Sequence, residues 1–369
     1  MAQVAGKVGE EQNMVGKKSA SQMADRSTPL MRNHWYVAAW AEEVTRTPLR
    51  RRILSDDIVF YRTEDGRAAA LHNRCAHRSF PLSNGVIKGD RIVCGYHGIE
   101  FNADGSCGLV PSIQSAPRAM RVTSYPLVEQ GPFIWIWMGG PEAVDHGKLT
   151  RQPWFTEAGW THVKGYFHMK ANYLGLHENL LDLSHFPFVH GAMVGKPEHA
   201  EARPKVSVEG DVVHSSVLHK DIALAPEYQA AASLVSPVDR LSEQYVPSPA
   251  IHVGKAILTD SSPTPQTHIR YIIHCPTPET QTSTHYFWAI ARDHVLDNAK
   301  VDAESHAIGA KAFNEDKEVL EEIEEVIARD ERTDFRERII STDEGAIQLL
   351  RAFARMAKNE DVEGRSSRS

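Results

Sequence analysis

Hydrophobic positions along the first 150 residues come in short blocks separated by turn residues. Trp35-Tyr36-Val37-Ala38-Ala39-Trp40 reads as an opening strand. Ile58-Val59-Phe60-Tyr61 and Ala68-Ala69-Ala70-Leu71 flank Glu64-Asp65-Gly66, which predicts a hairpin. Arg91-Ile92-Val93 is a further short strand. Gly98-Ile99-Glu100-Phe101 is followed by Ala103-Asp104-Gly105-Ser106, a second Asp-Gly turn. Phe133-Ile134-Trp135-Ile136-Trp137-Met138 is the strongest strand signal, closed by Gly139-Gly140-Pro141. Short strands at regular intervals predict a small all-β domain over 29–148, with a linker over 149–158. Beyond it, Ala250–Gly254, Ile269–His274 and Thr284–Ile290 read as strands of one sheet. Phe313–Ile327 has the period of an amphipathic helix, with Leu320, Ile323 and Ile327 as its stripe and Val319 and Val326 beside them. The fold class is therefore α+β: a β domain, then a mixed domain over 159–358. The polar stretch 1–28 is expected to be a disordered extension and 359–369 a tail.

Composition narrows the classes. The 369 residues are 41% hydrophobic and 24% charged, ordinary for a globular protein. A net charge of −7 leaves no basic footprint for nucleic acid. No apolar run approaches a membrane span, and no signal-peptide core precedes the first strand. The four cysteines, Cys75, Cys94, Cys107 and Cys275, do not make a disulfide framework, so a reducing cytoplasm is expected.

Two of those cysteines stand in a pattern. Cys75-Ala76-His77 and Cys94-Gly95-Tyr96-His97 make Cys-x-His, sixteen residues, Cys-x-x-His. Zinc sites also use two Cys and two His, but they favour pairing like with like. Here each cluster mixes one thiolate with one imidazole. That suits a Rieske [2Fe–2S] cluster, in which two Cys hold one iron and two His the other. Gly95 and Gly98 allow a tight turn close to a bound group. Backbone N–H groups of such loops can donate to cluster sulfurs.

A second group lies in Asn179-Leu180-Leu181-Asp182-Leu183-Ser184-His185-Phe186-Pro187-Phe188-Val189-His190. Asp182 and His185, three apart, are expected on one helical face. Pro187 is expected to break the helix so that His185 and His190 aim at one ion. Two His and a carboxylate on one face, with positions left open, is the donor set of a non-haem Fe(II) oxygenase. Four residues back from Leu320 lies Asp316, on the buried stripe of an otherwise acidic helix. A carboxylate there is costly unless paired or bound to metal. Asp316 is chosen as third ligand, with Glu315 and Asp343 as alternates.

With both motifs present, the chain resembles the Rieske non-haem iron oxygenase family over nearly all of 29–350. The resemblance implies a Rieske domain followed by a helix-grip catalytic domain, a curved antiparallel sheet wrapped on helices. It implies a mononuclear Fe(II) beside the cluster, O2 as co-substrate, and electrons from an NAD(P)H-dependent reductase, with or without a ferredoxin. No Gly-x-Gly-x-x-Gly loop follows a strand here, in keeping with an external reductase. It also implies a homotrimer, with Asp182 bridging His97 of one subunit to His185 of the next, and Asn179 supporting the iron site. The stretch His274-Cys275-Pro276-Thr277-Pro278-Glu279-Thr280 resembles O-demethylating members. By that likeness His274, and more loosely His252, contact a small aromatic substrate. The expected activity is oxidative O- or N-dealkylation of a methoxybenzoate, chloroaromatic or N-alkyl anilide. Ring hydroxylation with the same metals is the alternative, and a plain Rieske electron carrier a third.

Overall fold

The computed structural model describes residues 27–191, 200–224, 234–332, 335 and 337–366. The expected extension at 1–28 lies almost wholly outside them. The N-terminal domain is built from three small antiparallel sheets. The hydrophobic blocks become β1 (Trp35–Trp40), β2 (Leu49–Ile53), β3 (Asp56–Arg62) and β4 (Ala68–His72). They are followed by β5 (Val86–Lys88), β6 (Arg91–Val93), β7 (Glu100–Phe101), β8 (Cys107–Leu109), β9 (Leu127–Gln130) and β10 (Phe133–Trp137). The sheets run β1-β10-β9, β2-β3-β4 and β5-β6-β7-β8. β10, apolar throughout, is buried at every position because both its faces are covered. In the β3–β4 hairpin Arg62 pairs with Ala68, and Gly66 takes the left-handed φ of +83° that the turn needs.

The C-terminal domain is one seven-stranded antiparallel sheet with helices on one face. Its strands are β11 (Thr161–Met169), β12 (Lys205–Glu209), β13 (Val212–Ile222), β14 (Val238–Ser248), β15 (Ile251–Asp260), β16 (Thr267–Thr280) and β17 (Ser283–Arg292), in the order β11-β17-β16-β15-β14-β13-β12. The helices are α1 (Tyr173–Leu181), α2 (Phe186–Val189), α3 (Ala299–Arg329) and α4 (Glu344–Ser366). Strand alternation gives the sheet two apolar faces. On one, Tyr286, Trp288 and Ile290 pack against Leu176 and Leu180 of α1 and Leu320 of α3. On the other, Val253, Ile273, Cys275, Phe287, Ala289 and Ala291 share a core with Trp40, Phe133 and Trp135 of the N-terminal domain. Thr277 Oγ1 donates to the Val37 carbonyl at 2.7 Å across this boundary.

The stretch 149–158 packs against both domains: Trp154 stacks on Tyr271 at 4.2 Å, and Phe155 meets Phe133 at 5.4 Å. Two expectations need correction. The chain does not turn to tail at 359, since α4 continues to Ser366, and Glu360 accepts from the main-chain N–H groups of Arg32 and Asn33. The stripe of α3 is rotated from the one its aliphatic residues suggest. The helix buries Ser305, Gly309, Ala312, Asp316, Leu320 and Glu324, while Val319, Ile323 and Val326 are exposed. The cause is local. Glu321 and Glu324 turn inward to accept from the main-chain N–H groups of Lys170 and Asn172, which precede α1. Small residues at Gly309 and Ala312 also let the helix sit close to the sheet.

Candidate metal centres

The two Cys/His motifs form a pair of matching loops. In the first, Cys75 N–H donates to the Phe80 carbonyl (2.9 Å) and Ser79 N–H to the Cys75 carbonyl (3.0 Å). In the second, Cys94 N–H donates to the Ile99 carbonyl (2.8 Å) and Gly98 N–H to the Cys94 carbonyl (2.9 Å). The fourth residue after each cysteine has left-handed backbone, Ser79 at φ +61° and Gly98 at φ +69°. Gly95 is needed because a Cβ there would meet the Asn84 carbonyl oxygen at 2.9 Å. Asn73 ties the covering turn, accepting from Ser83 N–H at 2.7 Å and donating to Ser83 Oγ at 3.0 Å.

This geometry sorts the ligands by burial. Cys75 and Cys94 are 3% and 1% exposed, and neither is in a disulfide. His77 and His97 are exposed, with ring centroids 4.6 Å apart. Burial raises the Cys75 pKa. The main-chain N–H groups of His77 and Arg78, aimed at its sulfur, work the other way, and Cys94 beside it raises it further. Two buried sulfurs below two exposed imidazoles fit a cluster whose His-bound iron faces outward. N–H groups directed at sulfur are what tune such a cluster.

The second group converges on one point. The ligand atoms of His185, His190 and Asp316 all lie within 4.8 Å of one another. Asp316 Oδ1 is 3.3 Å from Nε2 of each imidazole. His185 Nε2 is buried yet makes no well-aligned hydrogen bond, so it is oriented for something other than a protein acceptor. The Nδ1 atoms explain the orientation. His185 Nδ1 lies 2.6 Å from the Asp182 carbonyl oxygen, and His190 Nδ1 lies 3.0 Å from Glu315 Oε2. A proton on each Nδ1 leaves each Nε2 lone pair facing the shared point. Asn179 Nδ2 donates to Asp316 Oδ1 at 2.9 Å. Burial works against the Asp316 carboxylate, but His185 and His190 more than offset it and hold its pKa at about 2. His190 shows the reverse: burial works against its charged form, and Asp316 and Glu315 together raise its pKa. A bound cation would displace the Nε2 protons, and the resulting two neutral imidazoles and one carboxylate are the donor set of a divalent iron.

The local route to this site differs from the expected one. α1 stops at Leu181, and Asp182 is extended (φ −108°, ψ 96°), so Asp182 and His185 share no helical face. The carboxylate of Asp182 accepts from Ser184 N–H at 2.9 Å, starting a new turn, and from Thr342 Oγ1 at 3.3 Å. Its carbonyl, not its carboxylate, holds His185. Pro187 breaks nothing, because it sits in the first turn of α2, where no N–H is required. Of the alternates for Asp316, Glu315 serves His190 from behind. Asp343 accepts from Ile340 N–H at the start of α4.

His252 and His274 face the helices as cross-strand neighbours, in register between β15 and β16. Both are buried, with ring centroids 5.9 Å apart. His252 Nε2 meets Gln244 Oε1 at 2.9 Å, and His274 Nδ1 meets the Tyr286 hydroxyl at 2.6 Å. Burial lowers the pKa of both, to about 3 for His274, so both are neutral. Sequence reasoning missed Tyr286, Gln244 and Phe186. Strand alternation could have put Tyr286 and Gln244 on this face, whereas nothing in the local sequence marks Phe186. A narrow cleft runs from Leu181–Ser184 across Ser215, Val217, Ser242 and Gln244. A larger groove of about 1060 Å³, lined by residues 147–151 and sharing Ser215 and Gln244 with the cleft, contains none of the three ligands.

Comparison with known proteins agrees with both sites. Residues 34–126 match the Rieske [2Fe-2S] domain, and residues 169–359 match the vanillate O-demethylase oxygenase C-terminal domain. The chain is 33% identical to the oxygenase component of dicamba O-demethylase from Stenotrophomonas maltophilia, over 89% of this chain and 98% of that one. It is 31% identical to the vanillate O-demethylase oxygenase subunit of Pseudomonas sp. (strain HR199 / DSM 7063), over 89% and 95%. The solved structure of dicamba monooxygenase with non-heme iron and dicamba superposes with a TM-score of 0.80 at 30% identity. That match covers 91% of this chain and 99% of the other.

Proposed function

Because this chain belongs to the Rieske non-haem iron oxygenases, with the vanillate O-demethylase type of catalytic domain, we propose that it performs oxidative O- or N-dealkylation of a substituted aromatic compound. It is the oxygenase component of a multicomponent monooxygenase, supplied with electrons by a separate reductase or ferredoxin. The observation that carries the reading is the convergence of His185, His190 and Asp316 beside a cleft, in a chain that also holds the paired Cys/His loops.

When bound, the cluster and the iron supply electron delivery and O2 activation, so that one oxygen atom enters the C–H bond next to the ether oxygen or amine nitrogen. The chain's own residues set the conditions. Glu315 and the Asp182 carbonyl fix the imidazole tautomers, and Asn179 fixes Asp316. Trp288, Tyr286 and Phe313 pack as an apolar cluster beside His274 and keep water from it. His274 and His252 offer neutral hydrogen-bonding groups to a polar substituent. The hydroxylated carbon then leaves as an aldehyde, giving the free phenol or amine.

A homotrimer completes the proposal. His77 and His97 are exposed, and Tyr96 between the ligands is 54% exposed. Phe188, two residues before the ligand His190, is 78% exposed. Val319, Ile323 and Val326 give α3 an uncovered apolar edge, the kind of surface an oligomer covers. In the trimer Asp182 joins the two sites: its carboxylate reaches His97 of the neighbouring subunit, and its carbonyl holds His185.

The test combines metal analysis with product analysis. Anaerobically purified protein should contain about three irons and two sulfides per chain, with a red-brown spectrum. With a reductase and ferredoxin it should release one aldehyde per O2 from an aryl methyl ether or an N-alkyl anilide. A hydroxylated product that keeps its alkyl group would replace this reading with ring hydroxylation.

A further inference from the structure

The apolar cluster around Leu320 holds one hydroxyl, that of Tyr286 on β17. Tyr286 is fully buried, and its phenol oxygen lies 2.6 Å from Nδ1 of His274 on β16. Burial pushes the phenol pKa well above its ordinary value and pulls that of His274 down to about 3, so both groups are neutral. A buried O–H needs an acceptor, and Nδ1 is the one this O–H meets among the described residues. Tyr286 therefore donates to Nδ1, and the His274 proton sits on Nε2. The pair is close to the iron site. Phe313, three residues before Asp316 on α3, has its ring centroid 5.0 Å from His274 and 6.2 Å from Tyr286. After burial, the Asp316 carboxylate is the largest influence on the ionisation of each.

A second oxidisable ring follows. Trp288 is buried two residues further along β17, on the same face and about 7 Å away along the strand. Phe167 lies against both rings, 6.1 Å from Tyr286 and 6.3 Å from Trp288. On its far side Trp288 is 5.3 Å from the ring of His306, which is exposed on α3. Phenol and indole are the most easily oxidised rings that proteins carry, and here they form a row from the iron ligands to the surface. A phenol loses an electron far more readily when its proton can leave at the same time, because the alternative is a buried cation. His274 Nδ1 stands ready to take that proton. The oxidised phenol is so strong an acid that even a weakly basic imidazole accepts it.

We propose that Tyr286, His274 and Trp288 form an escape route for oxidising equivalents, which spares the iron ligands when the loaded site reacts with O2 and no substrate C–H bond is in reach. Tyr286 gives one electron to the iron site. Its O–H bond breaks, and the proton forms an N–H bond at His274 Nδ1, leaving a neutral tyrosyl radical beside an imidazolium. Trp288 then gives one electron to the tyrosyl oxygen as the proton returns from His274. An external thiol reduces the indole radical cation at the His306 surface, losing a proton and pairing with a second oxidised thiol as a disulfide. The route rests on the dealkylase reading only for iron and O2 at His185, His190 and Asp316.

The test uses the full chain loaded with cluster and iron, without any aromatic compound. The reduced protein is mixed with O2, and the oxidised protein with hydrogen peroxide, which brings O2 and two electrons together. Rapid-freeze EPR should show a tyrosyl signal that narrows when the protein is made with ring-deuterated tyrosine. Tyr286→Phe should lose the signal, and Trp288→Phe, which blocks the second step, should prolong it about ten-fold. Over repeated substrate-free cycles, the peptides holding His185 and His190 should collect oxygen adducts about three- to ten-fold faster in Tyr286→Phe, read by mass spectrometry. A tyrosine that merely orients His274 would give no radical in any of these samples. If Tyr286→Phe fails to load its metals, the longer-lived signal in Trp288→Phe carries the test. No tyrosyl signal with either oxidant in wild type, or a signal unchanged in the variants, overturns the escape route and leaves the dealkylase reading standing. Protein that binds no mononuclear Fe(II) sinks the iron-site reading, and the escape route with it.

Discussion

In the N-terminal domain all four candidate cluster ligands fall between Cys75 and His97, on two loops that repeat one backbone hydrogen-bond pattern. In the C-terminal domain the three candidate iron ligands come from the segment after α1 and from the middle of α3, and side chains hold them in place. The first site is held by main-chain geometry, with buried sulfurs and exposed imidazoles. The second is closed over by helices, and each ligand has its own partner behind it. A loop-built site can exchange electrons at the surface. A site between elements can keep its chemistry in a dry cleft, but depends on tertiary packing to exist.

The largest effect separates the two sites outright. Cys75→Ser removes a thiolate from a buried position and should abolish the visible spectrum and all turnover, while Fe(II) binding to the second site survives. Asp316→Ala should do the converse. The cluster spectrum stays, the mononuclear iron is lost, and turnover falls by about three orders of magnitude or more. Iron and sulfide analysis with visible absorption checks both. A variant that loses both metals at once would show that the sites are not independently built.

The same contrast explains what the sequence could reveal. The cluster loops were legible because spacing along the chain is their geometry: each Cys-to-carbonyl bond closes within five residues. The strands of the N-terminal domain were legible for the same reason, since β10 is apolar on both faces and short. The iron site was legible only in part. His185 and His190 announce themselves by proximity, and Asp316 by being a carboxylate on a buried stripe. The stripe itself was misread through Ile323 and Val326, because Glu321 and Glu324 turn inward to serve Lys170 and Asn172, which lie far away in sequence. The helix break was misplaced because Asp182, not Pro187, ends α1, and only the tertiary partner Thr342 shows why its side chain turns there. The pairing of His274 with Tyr286 belongs to cross-strand register, which periodicity alone does not give.

A smaller effect probes how the two sites communicate. Asp182→Asn keeps an oxygen that can accept from Ser184 N–H, so the turn into His185 should survive. Both metals should be retained. On the proposed trimer, what changes is the charge between an exposed cluster histidine of one subunit and the iron site of its neighbour. Stopped-flow measurement of cluster oxidation in a single turnover should show it slowed about 10- to 100-fold, roughly 1.4–2.7 kcal/mol in the barrier. A normal rate would remove Asp182 from the electron path and leave it a capping residue.

The smallest effect tests the side-chain support that distinguishes the iron site from the cluster loops. Glu315 accepts from His190 Nδ1 and is itself approached by Lys311 at 4.0 Å, one turn earlier on α3. Glu315→Ala removes the acceptor, and apo-protein should then bind Fe(II) about 10- to 100-fold more weakly in competition with a chelator. Glu315→Gln keeps an oxygen for His190 but discards the charge, so it should lie between wild type and alanine. If the glutamine variant matches wild type, hydrogen-bond geometry alone orients His190. If it matches alanine, the carboxylate's charge is what makes the imidazole a strong ligand. In either case the cluster spectrum should not move, because no bond in the Cys75 and Cys94 loops depends on Glu315. A shift in that spectrum would mean that the two sites share more structure than their separate construction implies.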